Sequence, residues 1–551
     1  MKRTIYIFNF IFLILFLIYP LSYIISQCFI VDNKFTLEIL KASIGNYILR
    51  TSLIKSFSLG IIVVFLTSLI GIPLAFFFYK YNFKSKNFLR IAFFLPLIAT
   101  PFVGALGIRQ ILSRFGSLNL ILIKYGILKN PISWIGTGFA GIIILQTLHL
   151  YPIMFLNIST TLSNFDIECE EASYNLGANF WQTFRKITFP LFLPGYFAAS
   201  SIIFIWSLTD LGTPLVFDYT NIISVQVFNH INDINTNPVG YALVLIITFI
   251  TLLLFVLTKK YIEKTPYVSG RIKRLESGKN LDKKGKVFYF LTILLLLFSL
   301  TPHIGIILNS FAKKWFFTIL PSEYTGEFYK TVFTHHLTTT GIFNSLFLSS
   351  SAALIDAVLG FTIGYFLARE NFKGKQLLDL LVMLPIVIPG IIIAFGYFAC
   401  FSNTIIDPRR NPYFLLIISY SIRRLPFIVR STFSSFQLIG EEMEQASYSL
   451  GATNNTTFKK ITLPLVSPGL FAGCIFVFAF SFMEVSSSLI LAIREKFYPV
   501  AKVIYTLAGR VTDGPYVACA LGVLGMIIIS VCIVISSKIT KVRFGEFFKF
   551  G

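Results

Sequence analysis

The sequence predicts an all-α polytopic membrane protein of about 12 transmembrane helices, built as two six-helix repeats. Three observations carry that expectation. Of 551 residues, 55% are hydrophobic and only 13% are charged, with a mean hydropathy of +0.76; ordinary soluble domains carry about 25% charged residues. Apolar runs of the length that crosses a bilayer, ~20 residues each, recur along the whole chain. A polar segment between such runs is repeated almost verbatim in the second half. Composition therefore excludes a soluble enzyme and a disordered chain.

The first element follows Lys2 and Arg3 as an apolar run from Ile5 to Ile25. It imitates a signal peptide, but it exceeds the ~7–15 residues of such a core and no small-x-small cleavage site follows, so it is read as span 1. The other spans are expected near 57–79, 91–112, 137–158, 195–217, 238–258, 287–312, 344–367, 376–401, 412–430, 469–491 and 515–537. The net charge of +22, from 47 Lys and Arg against 25 Asp and Glu, flanks these runs instead of forming a compact basic domain. It fits the excess of cations in cytoplasmic loops, not nucleic-acid binding. The stretches around Lys80–Arg90 and Lys259–Lys286, together with Lys2, Arg3 and the tail with Lys538, Lys541, Arg543 and Lys549, fall on one side if twelve spans are counted. Both termini are then cytoplasmic; the family resemblance given below implies the inner membrane of a bacterium. Arg109, Arg114, Lys124 and Lys129 fall on the outer side. The expected domains are residues 1–262, a basic cytoplasmic linker at 263–286, and residues 287–551.

The six cysteines form no CxxC pair and the five histidines no HExxH; they read as buried or loop residues, with no metal site.

The repeat is specific. Residues 170–195 read EEASYNLGANFWQTFRKITFPLFLPG and residues 444–469 read EQASYSLGATNNTTFKKITLPLVSPG, identical at 16 of 26 positions at an offset of 274. Earlier in each half the best offset is 289, aligning Asn82-Phe83-Lys84 with Asn371-Phe372-Lys373. Repeats of the same sense imply a pseudo-twofold axis along the membrane normal, with a pathway between the halves. Each segment places acids first, where they suit the positive end of a helix. Gly177 or Gly451 then permits a sharp turn. Basic residues follow, and Pro190 or Pro464 comes before the next span. A helix–turn–helix on the cytoplasmic side is expected, at about 163–195 and 437–469.

These segments resemble the EAA loop of importer-type ABC transporter permeases. Glu170, Glu171, Ala172, Gly177 and Pro190 carry the resemblance in the first copy, and Glu444, Gln445, Ala446, Gly451 and Pro464 in the second. Gln445 departs from the pattern, whose leading acid falls one place earlier here, at Glu444. The resemblance covers the chain as two fused permease domains of type I importers. It implies that each loop docks on an ATP-binding subunit, two copies in all, and that a periplasmic or lipid-anchored binding protein delivers the solute. The chain itself has no GxxxxGK[ST] motif, so ATP and magnesium belong to the partner and this chain is no enzyme. No cofactor is expected on this chain, and its surroundings are the lipid bilayer.

Asp210 and Glu484 occupy equivalent positions, fifteen residues after Gly195 and Gly469. On a continuous helix that is ~22 Å up a ~30 Å core, where an ionisable group faces a cavity or a partner. Both are expected to line the translocation pathway. The strings TDLGTPLVF (209–217) and MEVSSSLIL (483–491) are similar to those of ferric-iron importers, whose relatives carry thiamine, polyamines or phosphonates. Iron(III) prefers oxygen ligands, so ferric iron is the expected solute. Arg423 and Arg424, inside the tenth span, are expected to snorkel. An ion-coupled secondary transporter is the rival reading of twelve spans in two halves.

Overall fold

The computed structural model describes residues 2–31, 34–98, 100–163, 167–231, 238–264 and 279–540. The linker's Arg271, Lys273 and Arg274 and the tail's Lys541, Arg543 and Lys549 lie outside the described residues.

Each of the twelve predicted spans coincides with a long helix or a bent pair. In chain order the elements are α1 (Arg3–Phe29), α2 (Tyr47–Lys80), the pair α3 (Lys86–Leu97) and α4 (Pro101–Lys124), α5 (Phe139–Ser163) and α6 (Ile167–Asn175). There follow α7 (Phe180–Thr209), α8 (Gly212–Val216), α9 (Val239–Lys264), α10 (Lys283–Ser299) and α11 (Thr301–Phe311). The second half holds α12 (His336–Arg369), α13 (Lys375–Val387), α14 (Gly390–Phe401), α15 (Tyr413–Leu438) and α16 (Gly440–Ser449). It ends with α17 (Asn454–Phe482), α18 (Ser486–Leu491), α19 (Val500–Ala508) and α20 (Gly514–Thr540).

Among the described residues eight helices are long and apolar enough to cross a membrane alone, and three bent pairs raise that to 11. The one predicted span left over is the tenth, α15, whose apolar character is diluted by Arg423, Arg424 and Arg430. The α3–α4 and α13–α14 pairs bend by 93° and 103°. Prolines explain both bends: Pro96 and Pro101 flank the first, Pro385 and Pro389 the second, and each removes a helix-forming N–H.

The chain divides into two compact units. One holds Met1–Arg50, Ser224–Thr248 and Tyr324–Phe547. In it, α12, α15, α17 and α20 pack on one another, and α1 lies against α14. Tyr397 on α14 donates its hydroxyl hydrogen to the Phe16 carbonyl at 2.7 Å. That carbonyl belongs to a π turn, Ile14–Ile18, two residues before Pro20. The second unit holds Thr51–Ile223 and Phe249–Glu323. There α4 crosses α11 at Gly107 and Gly305, so closely that a Cβ on either would strike the partner's backbone, the small-residue contact by which membrane helices approach. The units cut across the expected division at 263–286. Span 1 finds its buried face on second-half helices, and α10–α11 find theirs on α4.

Two segments of the second unit tie a loop of the first half to the start of α10. Tyr81–Asn82 pairs as a parallel strand with Lys279–Asn280. Asp282 caps α10 through the Gly285 N–H at 2.6 Å and accepts from the Tyr81 hydroxyl at 3.0 Å.

Candidate functional site

The two EAA-like segments fold alike, one in each unit, and the likeness extends to single hydrogen bonds. In the first copy, Glu170 accepts from the Thr188 hydroxyl at 2.6 Å, and Ser173 pairs with Thr183 at 2.9 Å. In the second, Glu444 accepts from Thr462 at 3.0 Å, and Ser447 pairs with Thr457 at 2.9 Å. The acid thus staples the first short helix to the turn that leads into the next span. This settles the place of Glu444. It is the counterpart of Glu170 and faces inward, while the outward position is held by exposed Gln445. The side chain of Glu171 lies outside the described residues. Ala172 and Ala446 are both exposed.

Gly177 and Gly451 each adopt φ +84°. The N–H of the following Ala178 or Ala452 reaches back to the carbonyl of Ser173 or Ser447 at 3.1 Å, the six-to-one bond of a left-handed helix stop. An L side chain is disfavoured at that φ, which is the physical demand for glycine. The residue before each glycine is thrown outward, leaving Leu176 88% and Leu450 89% exposed. Asn179 then starts the second short helix with a reciprocal box to Gln182, and Thr453 caps it in the other copy.

Pro190 and Pro464 act one turn further on. Just before them the helix widens to π geometry, at Phe184–Thr188 and Phe458–Thr462. A proline ring clashes with the carbonyl four residues back and offers it no N–H. Bonding to the fifth residue instead, as the N–H of Phe189 does to Phe184 and that of Leu463 to Phe458, relieves both. Pro20 has the same turn before it. Each EAA-like segment is therefore a capped, stapled knob that exposes one leucine.

The structure changes the reading of the two acids. Neither sits part-way along an unbroken helix. α7 ends at Thr209, and Asp210 accepts from the N–H groups of Gly212 at 3.1 Å and Thr213 at 3.4 Å, which open α8. Gln146 donates to its other oxygen at 3.1 Å. α17 ends at Phe482, and Glu484 accepts from Ser487 at 2.9 Å and Ser488 at 3.2 Å at the head of α18. Both acids cap a helix break, so the fifth and eleventh spans stop short of their expected ends at 217 and 491. The sequence signal was present as an acid followed by small and hydroxyl-bearing residues, a cap pattern.

Glu484 also carries an ion pair with Arg423 and is 2% exposed. The snorkelling expected of the two arginines does not occur. Arg424 donates to the Phe480 carbonyl at 3.2 Å and lies over that residue's ring. Asp356, fully buried on α12, accepts from Ser421. A guanidinium inside a helix bundle reaches a carboxylate or carbonyl at less cost than it would stretch a side chain to distant water. In the second unit the position equivalent to Arg423 is His149, which bonds the Pro96 carbonyl at 2.7 Å. Among the described residues no group of three or more His, Cys, Asp or Glu is placed to hold a metal ion.

A capped knob followed, at the far end of the next helix, by a capped break thus occurs twice. The family comparison finds a duplication as well. The family described as "Binding-protein-dependent transport system inner membrane component" matches residues 68–264 and again residues 360–539. The chain belongs to this family. Its members are multi-pass ABC permeases, and the double match makes this chain two fused permease domains. It is 28% identical to the ferric transport system permease protein of Actinobacillus pleuropneumoniae, over 92% of this chain and 74% of that protein. It is 26% identical to a putative ferric transport system permease protein of Haemophilus influenzae, over 87% of this chain and 76% of that one. A molybdate/tungstate transport system permease protein of Pyrococcus abyssi is 33% identical over 28% of this chain and 60% of its own length.

Proposed function

We propose that this permease forms the translocation pathway of an ATP-driven importer for ferric iron, with its termini in the cytoplasm. A separate ATP-binding subunit, in two copies, docks on the knobs at Gly177 and Gly451, and holds the ATP and magnesium. A periplasmic or lipid-anchored binding protein delivers the ion from outside. The observation that carries the coupling is the exposed leucine at the tip of two identically built knobs. An apolar side chain thrust outward by a rigid turn is suited to a pocket on another protein. Support for iron comes from the two ferric-transport relatives, which match most of the chain.

A role for Asp210 and Glu484 toward the cargo is part of the same proposal. Both are oxygen donors at the two helix breaks, and a hard ion would meet them only if the breaks open. The test is uptake of radiolabelled ferric iron into vesicles that hold the permease, its ATP-binding subunit and the binding protein. ATP-dependent uptake supports the reading. Uptake driven by an ion gradient without the ATP-binding subunit would replace it with a secondary transporter, and uptake of molybdate in preference to iron would correct the solute.

A further inference from the structure

Arg369, the last residue of α12, is 8% exposed at its side chain and reaches three points around one bend. Its guanidinium lies 5.7 Å from the ring centre of Phe436, near the end of α15. It donates to the carbonyl of Gly440 at 3.4 Å. Its Nε stands 3.7 Å from the Glu444 carboxylate. Phe436, Gly440 and Glu444 are spaced four apart across the junction where α15 passes into the knob helix α16. Gly440 itself has φ +56° there, so the junction is a left-handed bend and not a continuation of the helix. One side chain thus clamps the span before the bend, the bend, and the knob beyond it, and fastens all three to α12.

Among the described residues the first copy shows no such clamp. The residue aligned with Arg369 is Lys80 at the end of α2, whose ammonium lies 5.8 Å over the ring of the neighbouring Tyr81. Glu170 keeps its Thr188 bond just as Glu444 keeps its Thr462 bond, so the difference lies in the cation. An ammonium is a compact point charge, whereas a guanidinium can stack on a ring and reach a carbonyl and a carboxylate together.

We propose that Arg369 is a positioning residue that makes the second knob a stiff lever on α12, so that the two copies transmit force unequally. The idea rests on the reading of the knobs as ATPase docking sites. Movement of a docked subunit against Leu450 would pass through Glu444 and Gly440 into α12.

The experiment uses the assembled complex in vesicles and reads three quantities: co-purification of the ATP-binding subunit, ATP hydrolysis, and iron uptake per ATP hydrolysed. Arg369→Gln should keep the subunit bound and hydrolysing, while uptake per ATP falls at least about tenfold, within the range typical of coupling between two sites. Lys80→Gln should leave that ratio unchanged. The charge reversal Arg369→Glu with Glu444→Arg should recover part of it, and a merely structural role would instead show as lost subunit binding in Arg369→Gln. Unchanged uptake per ATP in Arg369→Gln, with the subunit bound, would overturn the lever and leave the docking reading intact. Loss of subunit binding in Arg369→Gln without recovery in the reversal would reduce Arg369 to a fold-holding residue. A wild-type chain that recruits no ATP-binding subunit would overturn the docking reading, and the lever with it.

Discussion

Arg423 and Glu484 show how a single residue's surroundings decide its role. Removing one member of a buried pair strands the other charge and costs about 3–5 kcal/mol. Glu484 has further duties, since its second oxygen holds the N–H groups that start α18. Arg423→Met should therefore lower the melting temperature sharply. Adding Glu484→Gln should recover much of the loss, because a glutamine oxygen still caps the helix while no charge is stranded. Thermal unfolding in detergent checks both; equal melting temperatures for wild type and Arg423→Met would contradict the pairing. A second residue-scale expectation concerns Asp407, outside the spans. Its carboxylate accepts from the Arg409 guanidinium at 2.7 Å and from the Asn403 and Arg409 N–H groups at 2.9 Å. The Arg409 bond holds it well below the usual carboxylate range. For a depressed folded value, stabilisation is complete above the unfolded value of about 3.9 and is lost only as pH falls through the lower folded one. Trypsin cleavage after Arg410, taken relative to an unstructured peptide of the same sequence at each pH, should thus be equally slow at pH 7 and pH 5, and fast in Asp407→Asn at both. Cleavage that accelerates between those pH values in wild type would refute the assignment.

At the level of elements, the knob is where sequence and structure agree most closely. Acids, glycine and proline fall at positions whose backbone demands are local, so a short string of residues determines them. A Cβ on Gly177 or Gly451 would meet nothing within 4 Å. The cost of alanine there is conformational only, about 1–2 kcal/mol. Gly177→Ala should accordingly loosen the turn without disturbing the spans, visible as faster amide exchange at Ala178 with an unchanged global melting temperature. The helix breaks at Asp210 and Glu484 were less legible. Hydropathy runs straight through them, and the cap pattern that ends each helix is carried by only a few small residues. Arg369 was not legible at all, because its three partners lie far along the chain and only the folded bend brings them to one guanidinium. The pairing of Glu444 with Thr462 was hidden for the same reason, although the repeat placed both residues.

For the molecule as a whole, the testable consequence of twin knobs is additive docking. Leu176→Asp and Leu450→Asp each place a charge on a residue nearly 90% exposed, so folding should be untouched. Each single change should weaken co-purification of the ATP-binding subunit, and the double change should abolish it. Full recovery of the subunit with the double variant would exclude the tips as docking points.

The strand between Tyr81–Asn82 and Lys279–Asn280 bears on how the polypeptide could be cut. Just ahead of α10, a ladder and the Asp282 cap tie the start of the second half to a loop made two hundred residues earlier. Because α1 belongs with second-half helices and α10–α11 with first-half ones, neither fragment alone owns a complete unit. Severed at that point and produced together, the two pieces should behave as mutually dependent halves of one object, each soluble in detergent only in the other's company.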